Sequence, residues 1–113
     1  MWADELFTKA KARKTAVAAR LVTSSGKVYY GVNIESSCHT LSICAERAAI
    51  VNAVIHEGPS MEIRSIEVQA LKDGHRLDII PCGGCRQLAA EFAAEDTEMC
   101  GKLLSKWLPN PYL

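Results

Sequence analysis

The stretch NIESSCHTLSICAERAAIVNA, Asn33 to Ala53, places a thiol, a carboxylate and two hydrogen-bonding side chains around one expected helix start. Its partner is PCGGCRQ, Pro81 to Gln87. Together, Cys44, Glu46, Cys82 and Cys85 offer three soft ligands and one carboxylate. That set suits a catalytic zinc with its fourth position left to water, because a structural zinc takes four protein ligands. Cys44 and Glu46 are two residues apart, about 200° around a helix, so they can serve one ligand at the helix tip but not on its flank. Cys82 and Cys85 are three apart and share a face if a second helix begins near Pro81. Two helix N-termini would then meet at the metal, where their positive ends favour thiolate over thiol.

Outward from this centre the periodicities alternate. Asp4 to Arg13 sets Leu6, Phe7 and Ala10 on one stripe and predicts a helix of about three turns. Its basic cluster, Lys9, Lys11 and Arg13, reads as a solvated face, with anion binding as the alternative. Ala16 to Thr23 alternates Val17, Ala19 and Leu21 against Ala18 and Arg20. After Ser24-Ser25-Gly26 the pattern resumes at Lys27 to Asn33, with Val28, Tyr30 and Val32 on one side, which predicts a β-hairpin. From Leu41 the spacing turns helical, through Cys44, Ala45, Ala48, Ala49 and Asn52, until Gly58-Pro59 stops it. Arg64 to Leu71 predicts a strand with Ile66, Val68 and Ala70 facing one way, followed by a turn at Lys72-Asp73-Gly74. Past Pro81, the residues Cys85, Leu88, Ala89, Phe92 and Ala93 mark another amphipathic helix. Thr97 to Cys100 predicts a short strand, and Lys102 to Leu108 a last helix ended by Pro109 and Pro111. This order implies an α/β layered domain with a mixed sheet of about four to five strands, begun by the hairpin and completed through helical crossovers.

The 113 residues, about half of them apolar, make one core and one domain over 1–113. Thirteen basic residues balance thirteen acidic ones, so no field draws in a polynucleotide, and a small ligand is expected instead. No stretch has the apolar length of a membrane span, and Met1 to Lys14 lacks the apolar core of a signal peptide, so a cytoplasmic protein is expected. Five cysteines, two of them in Cys-x-x-Cys, fit metal binding in a reducing compartment better than a disulfide framework.

Taken singly, these pieces are ordinary. A cysteine on an apolar stripe is usually core, and a lone Cys-x-x-Cys is as often a redox pair or half a zinc ribbon. Cys-x-Glu at one helix start, with Pro-Cys-x-x-Cys beginning at another so that Cys82 lies 36 residues after Glu46, matches the zinc deaminase signature. The blocks GVNIESSCHTLSICAERAAI and PCGGCRQ resemble those of the cytidine deaminase family, specifically its compact three-cysteine branch that includes blasticidin-S deaminases. The resemblance spans roughly Ala16 to Phe92 and implies a three-layer cytidine deaminase-like fold. It also implies Cys44, Cys82 and Cys85 as zinc ligands and Glu46 as proton shuttle. Asn33 and Glu35 match the pair that holds the ribose hydroxyl, and Ala45 the position whose backbone N–H meets the pyrimidine carbonyl. Arg47 matches an arginine that offsets thiolate charge, a role that also follows physically, since three thiolates would otherwise weaken the metal as a Lewis acid.

The implied activity is hydrolytic deamination of a free cytidine-like nucleoside, with a homotetramer as the family's assembly. Blasticidin S or another modified cytosine nucleoside is the alternative substrate. A non-catalytic zinc-stabilised module is the alternative of another class, and Glu46 argues against it because a structural zinc does not need that carboxylate. Three departures bear on substrate. Thr15 falls where the family has a stacking aromatic, His39 stands where an aromatic near the ribose is common, and Cys100-Gly101-Lys102 runs almost directly into the last helix. The last of these predicts a sheet short of its fifth strand.

Overall fold

A computed structural model describes residues 1–79 and 82–109, without the His39 side chain, and the expected helix start at Pro81 and stop at Pro111 lie outside these residues. In chain order the elements are α1 (Asp4–Phe7), β1 (Thr15–Thr23), β2 (Val28–Val32), a 3-10 turn (His39–Leu41), α2 (Ala45–Glu57), β3 (Ile63–Lys72) and β4 (His75–Leu77). They continue with α3 (Gly83–Ala90), β5 (Ala93–Met99), β6 (Lys102–Leu103) and α4 (Leu104–Trp107). The described residues form one mixed sheet of six strands in the order β2-β1-β3-β5-β6, with β4 also paired to β3. β1 runs antiparallel to β2 and β3, and β3 runs parallel to β5, a pairing that requires the crossover through α3.

The alternation expected for β1 and β3 divides the core. Ala19 and Leu21 of β1 and Ile66 and Val68 of β3 face α2 and α3, packing with Ala45, Ala49, Ile50, Ala53 and Ala89. Ala18, on the other face of β1, packs with Ala3 and Phe7 from the chain's first turns. Helices thus lie on both sides of the sheet, giving three layers. In β2 the inward residues are Tyr29 and Gly31, so the Val28 and Tyr30 side faces outward. Gly31 sits against the first turns of α2: a methyl group there would overlap the Ala45 carbonyl oxygen and the Ala49 nitrogen.

Several boundaries differ from expectation, each because a tertiary pairing overrides local periodicity. The first helix stops at Phe7 and not Arg13, because Lys11 is drawn out to pair with the chain after β2: its N–H donates to the Asn33 carbonyl at 3.1 Å and its carbonyl accepts from Glu35 N–H at 2.7 Å. The helix expected from Leu41 begins at Ala45, because Ile43 is held extended in an antiparallel bridge to Ile34. Its end is as expected, with Gly58 at a φ of 81° as the cap. Asp73-Gly74 and Cys100-Gly101 both have positive φ at two successive residues, the geometry of tight hairpin turns, so each returns the chain as an additional strand, β4 and β6. Those two short strands raise the count from the expected four or five to six. β5 begins at Ala93, earlier than the expected Thr97, and α3 is correspondingly shorter.

Candidate active site

The starts of α2 and α3 converge. Cys44 and Cys82 are the residues capping these two helices, both in extended conformation, and Cys85 lies in the first turn of α3. The three Sγ atoms lie within 4.8 Å of one another, with Cys82 and Cys85 3.2 Å apart. A zinc with sulfur bonds of about 2.3 Å spaces tetrahedral sulfurs by about 3.8 Å, so the trio fits one ion with a position to spare. Cys85 is fully buried, Cys44 half-buried and Cys82 exposed, so the centre is anchored in the core and open to ligand on one side.

The electrostatics of the trio suit a bound cation. Burial, the Glu46 charge and the neighbouring thiols push the Cys85 thiol far above its ordinary pKa. Burial also pushes Cys82 upward, but its hydrogen bonds with the Cys85 thiol and with the Cys85 backbone N–H, the latter at 3.3 Å, outweigh it and leave Cys82 below the usual thiol value. Arg47 Nη2 donates to Cys44 Sγ at 3.5 Å, and this bond and the Cys44 charge raise the guanidinium pKa. The donor set is soft, compact and short of positive charge.

Glu46, the second residue of α2, is 4% exposed. Its carboxylate lies within electrostatic reach of Cys82 and Cys85. Ala45 is the first helical residue, where the N–H has no partner inside the helix. Asn33 is buried and braces the start of β1: its Oδ1 accepts from Val17 N–H at 2.8 Å and its Nδ2 donates to the Thr15 carbonyl at 2.9 Å. One N–H and one lone pair of the amide remain. Glu35 Oε2 accepts from the backbone N–H of Arg13 at 2.8 Å. The bridge of Ile34 to Ile43 sets Asn33 and Glu35 across from Cys44 and Ser42, joining the polar pair to the metal end.

Two contacts escaped the sequence reading. Gly31 admits α2 against β2, and its signal was a glycine inside an alternating strand. Arg13 ties Glu35 and, through Nη2 to Ser37 Oγ at 2.6 Å, the following loop; nothing local in the sequence marks that pairing. Cys38 stays exposed on the loop, its thiol lowered mainly by its hydrogen bond with Thr40, and Cys100 sits at the β5–β6 turn. Neither joins the trio.

Three clustered thiols and a buried carboxylate at two helix starts on a mixed α/β sheet define the class of zinc-binding deaminase domains. The family model described as the cytidine and deoxycytidylate deaminase zinc-binding region matches residues 2–100, and the chain belongs to that family. Zinc is the metal of this domain, and Cys44, Cys82 and Cys85 are the group that could hold it. The chain is 45% identical over 76 residues to a probable cytidine deaminase of Dictyostelium discoideum, covering 67% of this chain and 49% of that protein. It is 39% identical over 79 residues to the cytidine deaminase of Sporosarcina psychrophila, covering 70% and 54%. These matches span about half the length of the relatives. The fold also superimposes on the Mycobacterium tuberculosis cytidine deaminase with a TM-score of 0.85 at 24% identity, over 98% of this chain and 91% of that one. For the Burkholderia pseudomallei cytidine deaminase the TM-score is 0.76 at 31% identity, over 97% and 93%.

Proposed function

We propose that this chain is a zinc-dependent hydrolase that deaminates a free cytidine-like nucleoside, releasing ammonia and the uridine counterpart. The observation that carries this reading is the convergence of Cys44, Cys82 and Cys85 within 4.8 Å beside the buried Glu46. When bound, zinc supplies Lewis acidity and lowers the pKa of a water towards about 7. Glu46 takes one proton of the attacking water and delivers it to the ring nitrogen beside the amine-bearing carbon; it then passes the second proton, from the hydroxyl newly bonded to that carbon, to the amino group, which leaves as ammonia as the C–N bond breaks. Burial at the tip of α2 keeps that carboxylate aimed at one ligand position. Arg47 stays charged beside Cys44 and offsets the thiolates, preserving the metal's pull on the water. Ala45 N–H meets the pyrimidine carbonyl.

Asn33 and Glu35 hold a sugar hydroxyl, the remaining amide N–H donating to it and the carboxylate accepting from it. A site built to bond a hydroxyl discriminates against a ligand lacking it, so free cytosine is a poor substrate. Thr15 in place of an aromatic forfeits base stacking worth roughly 1 kcal/mol. Five free cysteines suit the cytoplasm, and the reaction belongs to pyrimidine salvage. A homotetramer is supported by apolar side chains on the outer face of α2 and the loop before it, Val51 at 54%, Ile55 at 74% and Leu41 at 67% exposure; sedimentation of an active monomer at micromolar concentration would end that idea.

The deciding assay is ammonia release by zinc-loaded protein from cytidine, deoxycytidine, cytosine and blasticidin S. Efficient turnover of cytidine and little of cytosine is expected. Equal turnover of cytosine, or an unchanged cytidine specificity constant in Asn33→Ala, removes the sugar-binding role.

A further inference from the structure

The last described helix, α4, is a single turn, too short to hold itself together, so what it packs against decides its role. Leu104 anchors one end in the core at 5% exposure. Trp107 anchors the other against three elements at once. Its Nε1 donates to the Met99 carbonyl of β5 at 2.6 Å, and the Lys102 ammonium of β6 stands 4.6 Å from the ring centroid. The Arg86 guanidinium of α3 lies over the same ring at 5.0 Å, and its Nη1 donates to the Trp107 carbonyl at 3.2 Å. That carbonyl belongs to the last residue of α4, where no donor inside the helix remains and a cation is favoured.

Arg86 directly follows the buried Cys85, and its backbone N–H closes the first turn of α3 on the Cys82 carbonyl at 3.0 Å. The rest of that turn is Gly83-Gly84. Among the described residues a side chain at Gly83 would meet nothing within 4 Å, and one at Gly84 only Cys82 Sγ at 4.0 Å, so the turn has little to pack against on that side. The first turn of α2 is secured differently, by Arg47 on Cys44 Sγ at 3.5 Å within a helix of 13 residues. The eight-residue α3 reaches for α4 instead. We propose that α4 clamps the metal-bearing turn of α3, with Trp107 and Arg86 as positioning residues that fix Cys82 and Cys85 for zinc. The inference rests on the reading of the three thiols as zinc ligands. Neither Trp107 nor Arg86 is itself a ligand. They hold the turn that sets the Cys82–Cys85 spacing, and a looser turn lets one thiol leave the metal before the other.

The test is zinc release to a chromogenic chelator from zinc-loaded protein well below its melting temperature. Hydrogen exchange of the same proteins is read at the amides of Cys85 and Arg86, both of which bond to Cys82. Trp107→Ala is expected to release zinc on the order of tenfold faster, the low end of what groups that orient ligands are worth in metal affinity, and to speed exchange at these two amides. Arg86→Met, which keeps the stem and removes the guanidinium, gives the same two changes and stands in if Trp107→Ala fails to fold. Trp107→Phe keeps an aromatic face for the guanidinium and is expected to restore most of the slow release. Ile63→Val, a core truncation at the start of β3, is the control: it lowers the melting temperature and leaves zinc release and both amides near wild type. Release from Trp107→Ala and Arg86→Met no faster than from Ile63→Val, or unchanged exchange at both amides, overturns the clamp. A wild type that binds no zinc sinks the ligand reading, while the amide exchange still decides whether α4 holds the turn.

Discussion

Helix α2 carries a glutamate near each end, and the two are treated in opposite ways. Glu46 enters at the N-terminus, where the helix dipole favours a negative charge, and is buried beside thiols that need a cation. Glu57 closes the helix at the C-terminus, where the dipole opposes it. It is held instead by Thr23 Oγ1 at 2.9 Å, Ser25 Oγ at 3.1 Å and the Tyr29 hydroxyl. In the proposed mechanism the first carboxylate serves the chemistry, while the second closes the β1–β2 hairpin against its helix. Both lie within a turn of an end, and the dipole favours one and opposes the other. What separates them is the set of donors that the rest of the fold brings to each.

The sharpest way to break this contrast is to neutralise the buried end. Glu46→Gln keeps the shape and the three thiols, so zinc content and melting temperature are expected to stay near wild type. Turnover of cytidine should fall on the order of 10²- to 10⁴-fold, the worth of positioned proton transfer. Cys85→Ala is the control, expected to lose zinc outright because it removes the buried ligand. Comparable kcat in Glu46→Gln would take that carboxylate out of the mechanism.

Much of the fold and of the candidate site is visible in the residue order, and the part that is not, Glu57 and its partners included, has a physical cause. The spacing of Cys44, Cys82 and Cys85 is a local property of two helix starts, so the structure brings together the trio that the spacing implied. The alternation in β1 and β3 is equally local and reads correctly. By contrast, the unwinding after Phe7 depends on Lys11 finding the chain more than twenty residues further on, and no window around Lys11 contains that information. The strands β4 and β6 are three and two residues long, too short to show a period. They exist because Asp73-Gly74 and Cys100-Gly101 turn tightly, and a cysteine at a φ of 53° is an uncommon marker for such a turn. The Arg13 bond to Glu35 is hidden for the same reason as Lys11: both come from one stretch of extended pairing that helical periodicity obscures.

A smaller effect is expected from the strand that seats the buried end. Because a methyl at position 31 meets backbone atoms of Ala45 and Ala49 and not a movable side chain, α2 must shift as a body. Gly31→Ala should cost about 1 to 3 kcal/mol, the usual range for overpacking, or roughly 4 to 20 °C in melting temperature for a domain near this size. Since the overlap falls on the turn that carries Glu46, kcat should drop by more than the folded fraction does. A variant with wild-type stability and kcat would show that β2 does not set the seat of α2.

The mildest change addresses the other end. Glu57→Gln replaces a carboxylate with an amide that cannot accept the same bonds through both of its terminal atoms. Burial pushes the Glu57 carboxyl upward, but the hydrogen bonds from Thr23, Tyr29 and Ser25 outweigh it and bring its folded pKa below the ordinary 4.5. The sign follows from linkage: the stabilisation is full above the unfolded value and is lost as pH falls through the lower folded one. The melting temperature of Glu57→Gln should therefore lie below wild type at neutral pH, and the gap should narrow as pH falls below about 4.5. Ser25→Ala, which deletes one exposed donor, should reproduce a fraction of that gap with the same pH dependence. A gap that stays constant through the acid range would mean that Glu57 acts by shape and packing and not by charge, and the two ends of α2 would no longer differ in the way their hydrogen bonds imply.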